Sequence, residues 1–233
     1  MRRVKRLNVN NIPEKIKRVN IKDGKLLYHL TPLENLESII RNGLKPRSNL
    51  DKEKFTDTAN SDIINKRSKM KLTDYVPFHF ISNGPYDGSV RKAYPDKDFA
   101  YICVSREVIK NDCKIIVGHP LNIPVLNSMI LGGLKINDLI DRDSNKLYDW
   151  DKGFDKINWE LMEERNYADE ACKQMCMSEA LYPETITHEN IQSIWIPSSE
   201  VNKFEKIKKE LNGKFYIDAK DFLMAENSKN KNE

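Results

Sequence analysis

The sequence predicts a single α+β domain, and three observations favour this class. Apolar strand-like runs and amphipathic helix-like runs are interleaved along the 233 residues without a repeated strand–helix–strand period. This length is enough for one well-cored domain and short for two. Neither a dinucleotide-binding glycine fingerprint nor a P-loop occurs, and Gly132-Gly133 is an isolated pair, which disfavours a Rossmann-type domain.

The N-terminal half begins its ordered part with a predicted strand, KLLYHL, which ends at Thr31. The segment TPLENLESIIRNGL then predicts a helix with Thr31 as its cap, Pro32 at the first helical position and Gly43 as its stop. Residues 45–74 are polar, with a short helical turn around SDIINKR. We expect a long functional loop there.

The C-terminal half predicts further strands and helices. Strands are expected at YVPFHFIS, FAYICVSREVI, CKIIVG and IQSIWIP, and a poorly defined stretch begins at NIPVLNSMILGGLKINDLI. Helices are expected at INWELMEERN, at ADEACKQMCMSEAL and at SSEVNKFEKIKKEL, the last with a serine cap.

Composition excludes several classes of protein. Hydrophobic residues make up 39% of the chain, but no apolar run reaches the roughly 20 residues that cross a bilayer. The charged N-terminus has no apolar region behind it, so we expect a cytoplasmic protein without a secretory signal. Four cysteines are too few for a disulfide framework and predict free thiols. Cys172 and Cys176 share a helix face without further metal ligands, which indicates packing, and His119 and His188 each stand alone and receive no role.

Charge is concentrated at the N-terminus. Residues 1–25 hold nine Lys or Arg residues against Glu14 and Asp23. Such a segment either follows nucleic-acid phosphates or is a solvated tail. We therefore expect three regions: a basic segment over 1–25, the folded domain over 26–225 and a frayed tail over 226–233.

One carboxylate occupies an unusual position. Glu179 lies in YADEACKQMCMSEALYP, where helical spacing changes to extended spacing, so its side chain is expected at the rim of a sheet.

Three motifs, in order and spacing, resemble the DarT family of DNA ADP-ribosyltransferases. LYHLTPLENLESIIRNGL is similar to the family's Tyr-His-Ile-Thr strand and the helix after it. SDIINKRSKMKLTDYVPFHF is similar to its arginine-bearing loop and Tyr-Val-Pro-Phe-x-Phe strand, and CKQMCMSEALYPETITHENIQSIWI to its glutamate segment. The chain departs from the family at Pro32, at CMS before the glutamate and at ISNGPYDG after the second strand. We expect these departures to affect base preference more than activity.

The resemblance implies a fold and an activity. The fold is an ADP-ribosyltransferase-like domain with a centrally split, mainly antiparallel sheet flanked by helices. The activity is transfer of ADP-ribose from NAD to a base in single-stranded DNA, without a metal. The implied setting is a toxin whose partner is a macrodomain-type antitoxin.

The resemblance also implies roles for individual residues. Glu179 is the catalytic carboxylate, which grips a ribose hydroxyl and stabilises the positive charge of the transition state. His29 hydrogen-bonds the NAD ribose on the adenosine side. Arg67, in the long loop, either pairs with the pyrophosphate or positions the base and helps its ring nitrogen lose a proton.

The remaining implied residues complete the donor site. Tyr75 and Phe78 would line the nicotinamide pocket and stack on its cationic ring, although core packing explains both nearly as well. Thr31, Asn35 and Gly43 are the weaker members, with Asn35 as a polar contact and Gly43 as the helix stop.

Two other classes stay open. One is an enzyme of the same architecture that acts on RNA or protein, including an RNA 2′-phosphotransferase-like enzyme. The other is a nucleic-acid-binding module without catalysis, which would leave NAD intact. The presence of both Arg67 and Glu179 argues against the second.

Overall fold

The computed structural model of the protein describes residues 19–51, 55–59, 61–120 and 147–225. Most of the predicted basic segment, the tail over 226–233 and the stretch around Gly132-Gly133 lie outside these residues. The strands are β1 Leu26–Pro32, β2 Val76–His79, β3 Phe99–Ser105, β4 Lys114–Ile116, β5 Tyr148–Asp149, β6 Glu179–Tyr182, β7 Ile191–Ile196 and β8 Tyr216–Ala219. The helices are α1 Leu36–Asn42, α2 Ser61–Lys69, α3 Pro85–Ala93, α4 Arg106–Ile109, α5 Trp150–Lys156, α6 Trp159–Glu164, α7 Glu170–Met175 and α8 Val201–Glu210.

The strands form one eight-stranded sheet in the order β5-β4-β6-β2-β1-β3-β7-β8. Neighbouring strands are antiparallel except for β7 and β8, which are parallel. The predicted α+β class with a mainly antiparallel sheet is confirmed.

The joint between β1 and β2 divides the sheet into two halves. These strands share a single register pair, Tyr28 with His79, whereas β1 pairs with β3 over its full length from Leu26 to Pro32. Pro77 in β2 has no backbone N–H with which to extend the ladder. The predicted central split corresponds to this narrow joint.

The main core lies on the face of the sheet that carries Val76 and Phe78. Helices α1, α6 and α8 contribute Ile40, Met162 and Phe204 to it. β3 is buried on both faces, because Phe99, Tyr101 and Cys103 pack in a second cluster with Leu223. This explains why β3 has a continuous apolar sequence instead of an alternating one.

The entry into α1 differs from the prediction. β1 continues through Thr31 and Pro32, a 3-10 turn covers Leu33–Asn35, and no side chain caps the helix. Pairing of Pro32 with Phe99 in β3 outweighs the local capping signal. Gly43 ends the helix with φ at +84°, which confirms the predicted stop.

Three other expectations need correction. The helical turn predicted at SDIINKR within the loop over 45–74 is a longer helix than expected, the nine-residue α2, which carries Arg67 and has no fully buried residue. The predicted serine cap of α8 is wrong, because Ser198–Glu200 forms a 3-10 turn and no side chain caps the helix. Helix α3 and strand β8 were not predicted.

The four cysteines are free and buried, which confirms the thiol prediction. No helix in the described ranges is long and apolar enough to cross a membrane.

Candidate active site

A cavity of about 440 Å³ lies over the centre of the sheet, a size that suits a small ligand. Its floor is formed by β1, β2 and β6, whose side chains alternate between the two faces of the sheet. His79 and Glu179 are direct cross-strand partners and both line the cavity. The change from helix α7 to strand β6 between Met175 and Glu179 confirms the predicted transition at this carboxylate.

Arg67 reaches the floor from above and forms a two-pronged ion pair with Glu179. Both terminal nitrogens of the guanidinium donate to the carboxylate, Nη1 to Oε1 and Nη2 to Oε2, each at 2.9 Å. The side chains are 15% and 7% exposed, so water screens the pair weakly. Burial alone would raise the pKa of Glu179, but attraction to Arg67 outweighs it and holds this pKa below its usual value. The carboxylate is therefore ionised at neutral pH.

His29 closes the floor on the β1 side. Its Nδ1 lies 2.8 Å from the carbonyl oxygen of Pro77, and this carbonyl can only accept. Nδ1 therefore carries the proton, which leaves Nε2 as an acceptor. Burial lowers the pKa of His29 to about 4, and the imidazole is neutral at physiological pH.

Comparison with known proteins finds similarity in both sequence and fold. Residues 28–120 match the sequence model described as "DarT: ssDNA thymidine ADP-ribosyltransferase, DarT". The structure resembles Thermus sp. 2.9 DarT in complex with ADP-ribosylated ssDNA, with a TM-score of 0.62 and 17% identity over 86% of this chain and 96% of that one. Residues 28–120 are therefore similar in sequence to the DarT family, and the structure shares the fold of a DarT protein.

Two further structures support the likeness of fold. Thermus sp. 2.9 DarT in complex with NAD+ has a TM-score of 0.58 at 15% identity, over 86% of this chain and 97% of that one. Thermosipho africanus DarTG in complex with ADP-ribose has a TM-score of 0.57 at 17% identity, over 86% of this chain and 51% of that one. No curated protein matches the sequence significantly.

Seven of the eight residues that the DarT resemblance implies line the cavity: His29, Thr31, Asn35, Gly43, Arg67, Tyr75 and Glu179. Phe78 does not. It is fully buried in the main core, because it follows Pro77 and precedes His79 on a strand whose alternate residues face opposite sides. The expectation that Phe78 stacks on nicotinamide is corrected accordingly.

Asn35 organises the cavity wall. Its amide nitrogen donates to the carbonyl of Thr56, and its amide oxygen accepts from the N–H of Thr56, both at 2.8 Å. These bonds fix the segment 55–59 to the start of α1. One amide hydrogen and one oxygen lone pair are left for a ligand.

Gly43 permits a close approach of two chain segments. A Cβ at this position would lie 2.3 Å from the Cγ2 of Thr185, and its φ of +84° is a conformation that side chains rarely adopt. The residue that ends α1 therefore also fixes the wall of the cavity.

Sequence reasoning missed three aromatic groups beside Glu179. His79 contacts Tyr86 with the rings tilted, their centroids 5.2 Å apart and their planes at 33°, and His119 lies on the β4 side of the cavity. Burial raises the pKa of Tyr86 to about 12 and lowers that of His119. Strand alternation could have identified His79, because it faces the same way as Pro77.

Arg47 was also missed. It lines the cavity and is held by Asp57 through two hydrogen bonds of 2.5 and 3.0 Å, with its guanidinium 5.6 Å from the ring centre of Phe55. No local sequence pattern distinguishes this arginine from a solvated one.

No group of three or more His, Cys, Asp or Glu side chains within the described part of the chain is arranged to hold a metal ion.

Proposed function

We propose that the protein is an NAD-dependent mono-ADP-ribosyltransferase that modifies a base in single-stranded DNA. The observation that carries this proposal is the paired Arg67 and Glu179 beside a neutral His29 on the floor of one cavity. The match of residues 28–120 to a sequence model described as an ssDNA thymidine ADP-ribosyltransferase makes thymidine the first acceptor to test.

The donor NAD+ would lie across the joint between β1 and β2. We propose that the free Nε2 of His29 accepts a hydrogen bond from the adenosine-side ribose, and that Thr31, Asn35 and Gly43 form the wall next to it. Tyr75 would contact the nicotinamide. Arg47 offers a cation for the pyrophosphate, because its side chain is 30% exposed in its pair with Asp57, whereas that of Arg67 is 15% exposed in its pair with Glu179.

Glu179 would supply the catalytic carboxylate. Cleavage of the bond between nicotinamide and ribose removes a neutral leaving group and develops positive charge on the ribose. A preformed carboxylate that binds a ribose hydroxyl stabilises this charge more in the transition state than in the ground state. Arg67 keeps Glu179 ionised and oriented, and we assign it a second role in positioning the acceptor base.

The DNA would approach along α2. Lys66, Lys69 and Lys71 are exposed on this helix and the turn after it, next to the cavity. Together with the basic residues of segment 1–25 they could bind the phosphates of a single strand. A modified base would block replication, so we propose a toxin that acts in the cytoplasm and is opposed by a macrodomain-type antitoxin.

The test is incubation with labelled NAD+ and separate pools of single-stranded DNA, duplex DNA, RNA and protein, beside Glu179→Gln. We expect label on single-stranded DNA, its loss in the variant, and a preference among homopolymers that identifies the base. Label on RNA or protein alone would reassign the acceptor. No turnover of NAD+ in any pool would contradict the enzymatic proposal.

The proposed DNA contacts of Lys66, Lys69 and Lys71 have their own test. The triple variant Lys66→Gln, Lys69→Gln, Lys71→Gln should weaken DNA binding and reduce the slope of log affinity against log salt by about 0.7 for each lost phosphate contact. Its hydrolysis of NAD+ without DNA is the control, because these lysines are exposed and do not line the cavity.

A further inference from the structure

Transfer of ADP-ribose to an N–H group of a base releases a proton, and the obvious residues at the floor cannot accept it. Burial would lower the pKa of Arg67, but the charge of Glu179 and its hydrogen bonds raise it above the usual arginine value. A guanidinium that is permanently protonated can orient a base but cannot deprotonate it. Both oxygens of Glu179 are bound by Arg67, and its lowered pKa makes it a weak base.

Two other side chains are unsuitable for different reasons. The Nδ1 of His29 is committed to Pro77, and a pKa of about 4 makes this imidazole a poor acceptor at neutral pH. Tyr86, with its pKa raised to about 12, stays a phenol.

We infer that His79 is the general base that accepts the proton of the acceptor nitrogen. This inference rests on the proposed transferase function. Register places His79 directly opposite Glu179 on the adjacent strand, where cross-strand Cβ atoms are about 4.5–5.5 Å apart. The residue is 8% exposed and lines the cavity, and the ring of Tyr86 packs against it and restricts its orientation.

Charged and titratable groups surround His79 in the structure. Charged or titratable groups face it from each neighbouring element: Glu179 on β6, Arg67 on α2, Tyr86 and Asp87 on α3, His29 on β1 and His119 after β4. Two of these groups are carboxyl groups, Glu179 and Asp87, and the first of them is paired with Arg67. Asp87 is held in turn by the N–H of Gly84 at 2.8 Å.

The step is balanced without another reactant. The electron pair of the acceptor nitrogen forms the new bond to the anomeric carbon. The bond from this carbon to nicotinamide breaks, and its electrons neutralise the positive ring nitrogen of the leaving group. The proton of the acceptor N–H passes to the His79 imidazole and then to water.

The experiment compares His79→Gln with His119→Gln, a second cavity histidine to which the proposal gives no role. Transfer to single-stranded DNA and hydrolysis of NAD+ without DNA are measured for each variant across a pH series. For His79→Gln we expect the ratio of transfer to hydrolysis to fall about 10²-fold, since general bases typically contribute 10² to 10⁴. In the wild type and in His119→Gln the rate of transfer should rise with pH, and in His79→Gln this rise should disappear.

A second variant separates proton transfer from positioning. In His79→Gly, added imidazole should restore transfer to DNA in proportion to its concentration, and substituted imidazoles should do so according to their basicity. A structural role for the ring would not produce this dependence. If His79→Gly fails to fold, the pH profile of His79→Gln still decides the question.

The outcomes distinguish this inference from the proposed function. A wild-type protein that labels no DNA would overturn the function itself. A wild-type protein that labels DNA, with an unchanged pH profile in His79→Gln, would overturn the role of His79 alone. If the rise of the transfer rate with pH is lost in His119→Gln instead, His119 is the general base.

Discussion

Removal of one partner of the Arg67–Glu179 pair should destabilise the folded protein measurably. In Glu179→Gln the guanidinium keeps its charge at a site that is only 15% exposed, while its two 2.9 Å hydrogen bonds to a carboxylate are lost. Breaking a buried pair from one side typically costs about 3–5 kcal/mol. Because α2 buries none of its residues, the helix can carry Arg67 towards water, which favours the lower end, about 3 kcal/mol.

A double-mutant cycle with Arg67→Gln tests the cause of this loss. The free energy of unfolding is measured in urea at neutral pH for the wild type, both single variants and the double variant. Removing both charges leaves no uncompensated ion, so the double variant should recover part of the loss of Glu179→Gln. Single effects that add within about 0.5 kcal/mol would show that the pair is not coupled and would refute the reasoning.

The pH dependence supplies a second check on the same pair. The pKa of Glu179 is lower in the folded state than its ordinary value of about 4.3. Its contribution to stability is therefore fully present above about pH 4.3 and is lost as the pH falls through the lower folded pKa. The stability difference between the wild type and Glu179→Gln should shrink on acidification, and a constant difference would contradict the assignment.

Three further outcomes are expected. His29 has a folded pKa of about 4, so NMR should show a neutral ring at about pH 6.5, where an ordinary histidine is half protonated. The stability that the neutral His29 contributes should be lost as the pH falls from about 6.5 to about 4. Gly43→Ala should cost about 1–3 kcal/mol in urea unfolding, and Thr185→Ser in the same background should recover part of it by removing the 2.3 Å clash. Phe78→Ala should cost about 3–5 kcal/mol of stability, whereas Tyr75→Ala should chiefly raise KM for NAD+. If stability and kinetic assays gave the reverse pattern, Phe78 would not be a core residue and Tyr75 would not be a ligand contact.

The fold was largely predictable because its strands are dense apolar runs. The run FAYICVSREVI predicted β3, although the strand ends at Ser105 and Arg106–Ile109 forms α4, and Gly43 specified the end of α1 through its positive φ. The start of α1 was not predictable, because the pairing of Pro32 with a strand about 67 residues away in sequence decides it. β8 was missed for a related reason: its residues YIDA are mostly exposed and gain order by pairing with β7.

Site residues that lie in a recognisable sequence motif could be predicted, and residues that come together only in the folded structure could not. Glu179 is marked locally by the change from helix to strand, but Arg67 acquires its role only when α2 folds back over the sheet. Phe78 and His79 show the limit of motif reasoning. They are neighbours in one distinctive segment, yet strand alternation sends the first into the core and the second into the cavity.

The narrow joint between β1 and β2 means that a bound ligand would also hold the two halves of the sheet together. A dinucleotide bound between His29 and Glu179 would span two half-sheets that share one backbone register pair, and it would act as a cross-link between them. Ligand binding should therefore do more than raise the overall stability by mass action. It should slow hydrogen exchange selectively at the amides of β1 and β2 that face each other, because these two strands share a single register pair while their outer edges are fully paired with β3 and β6.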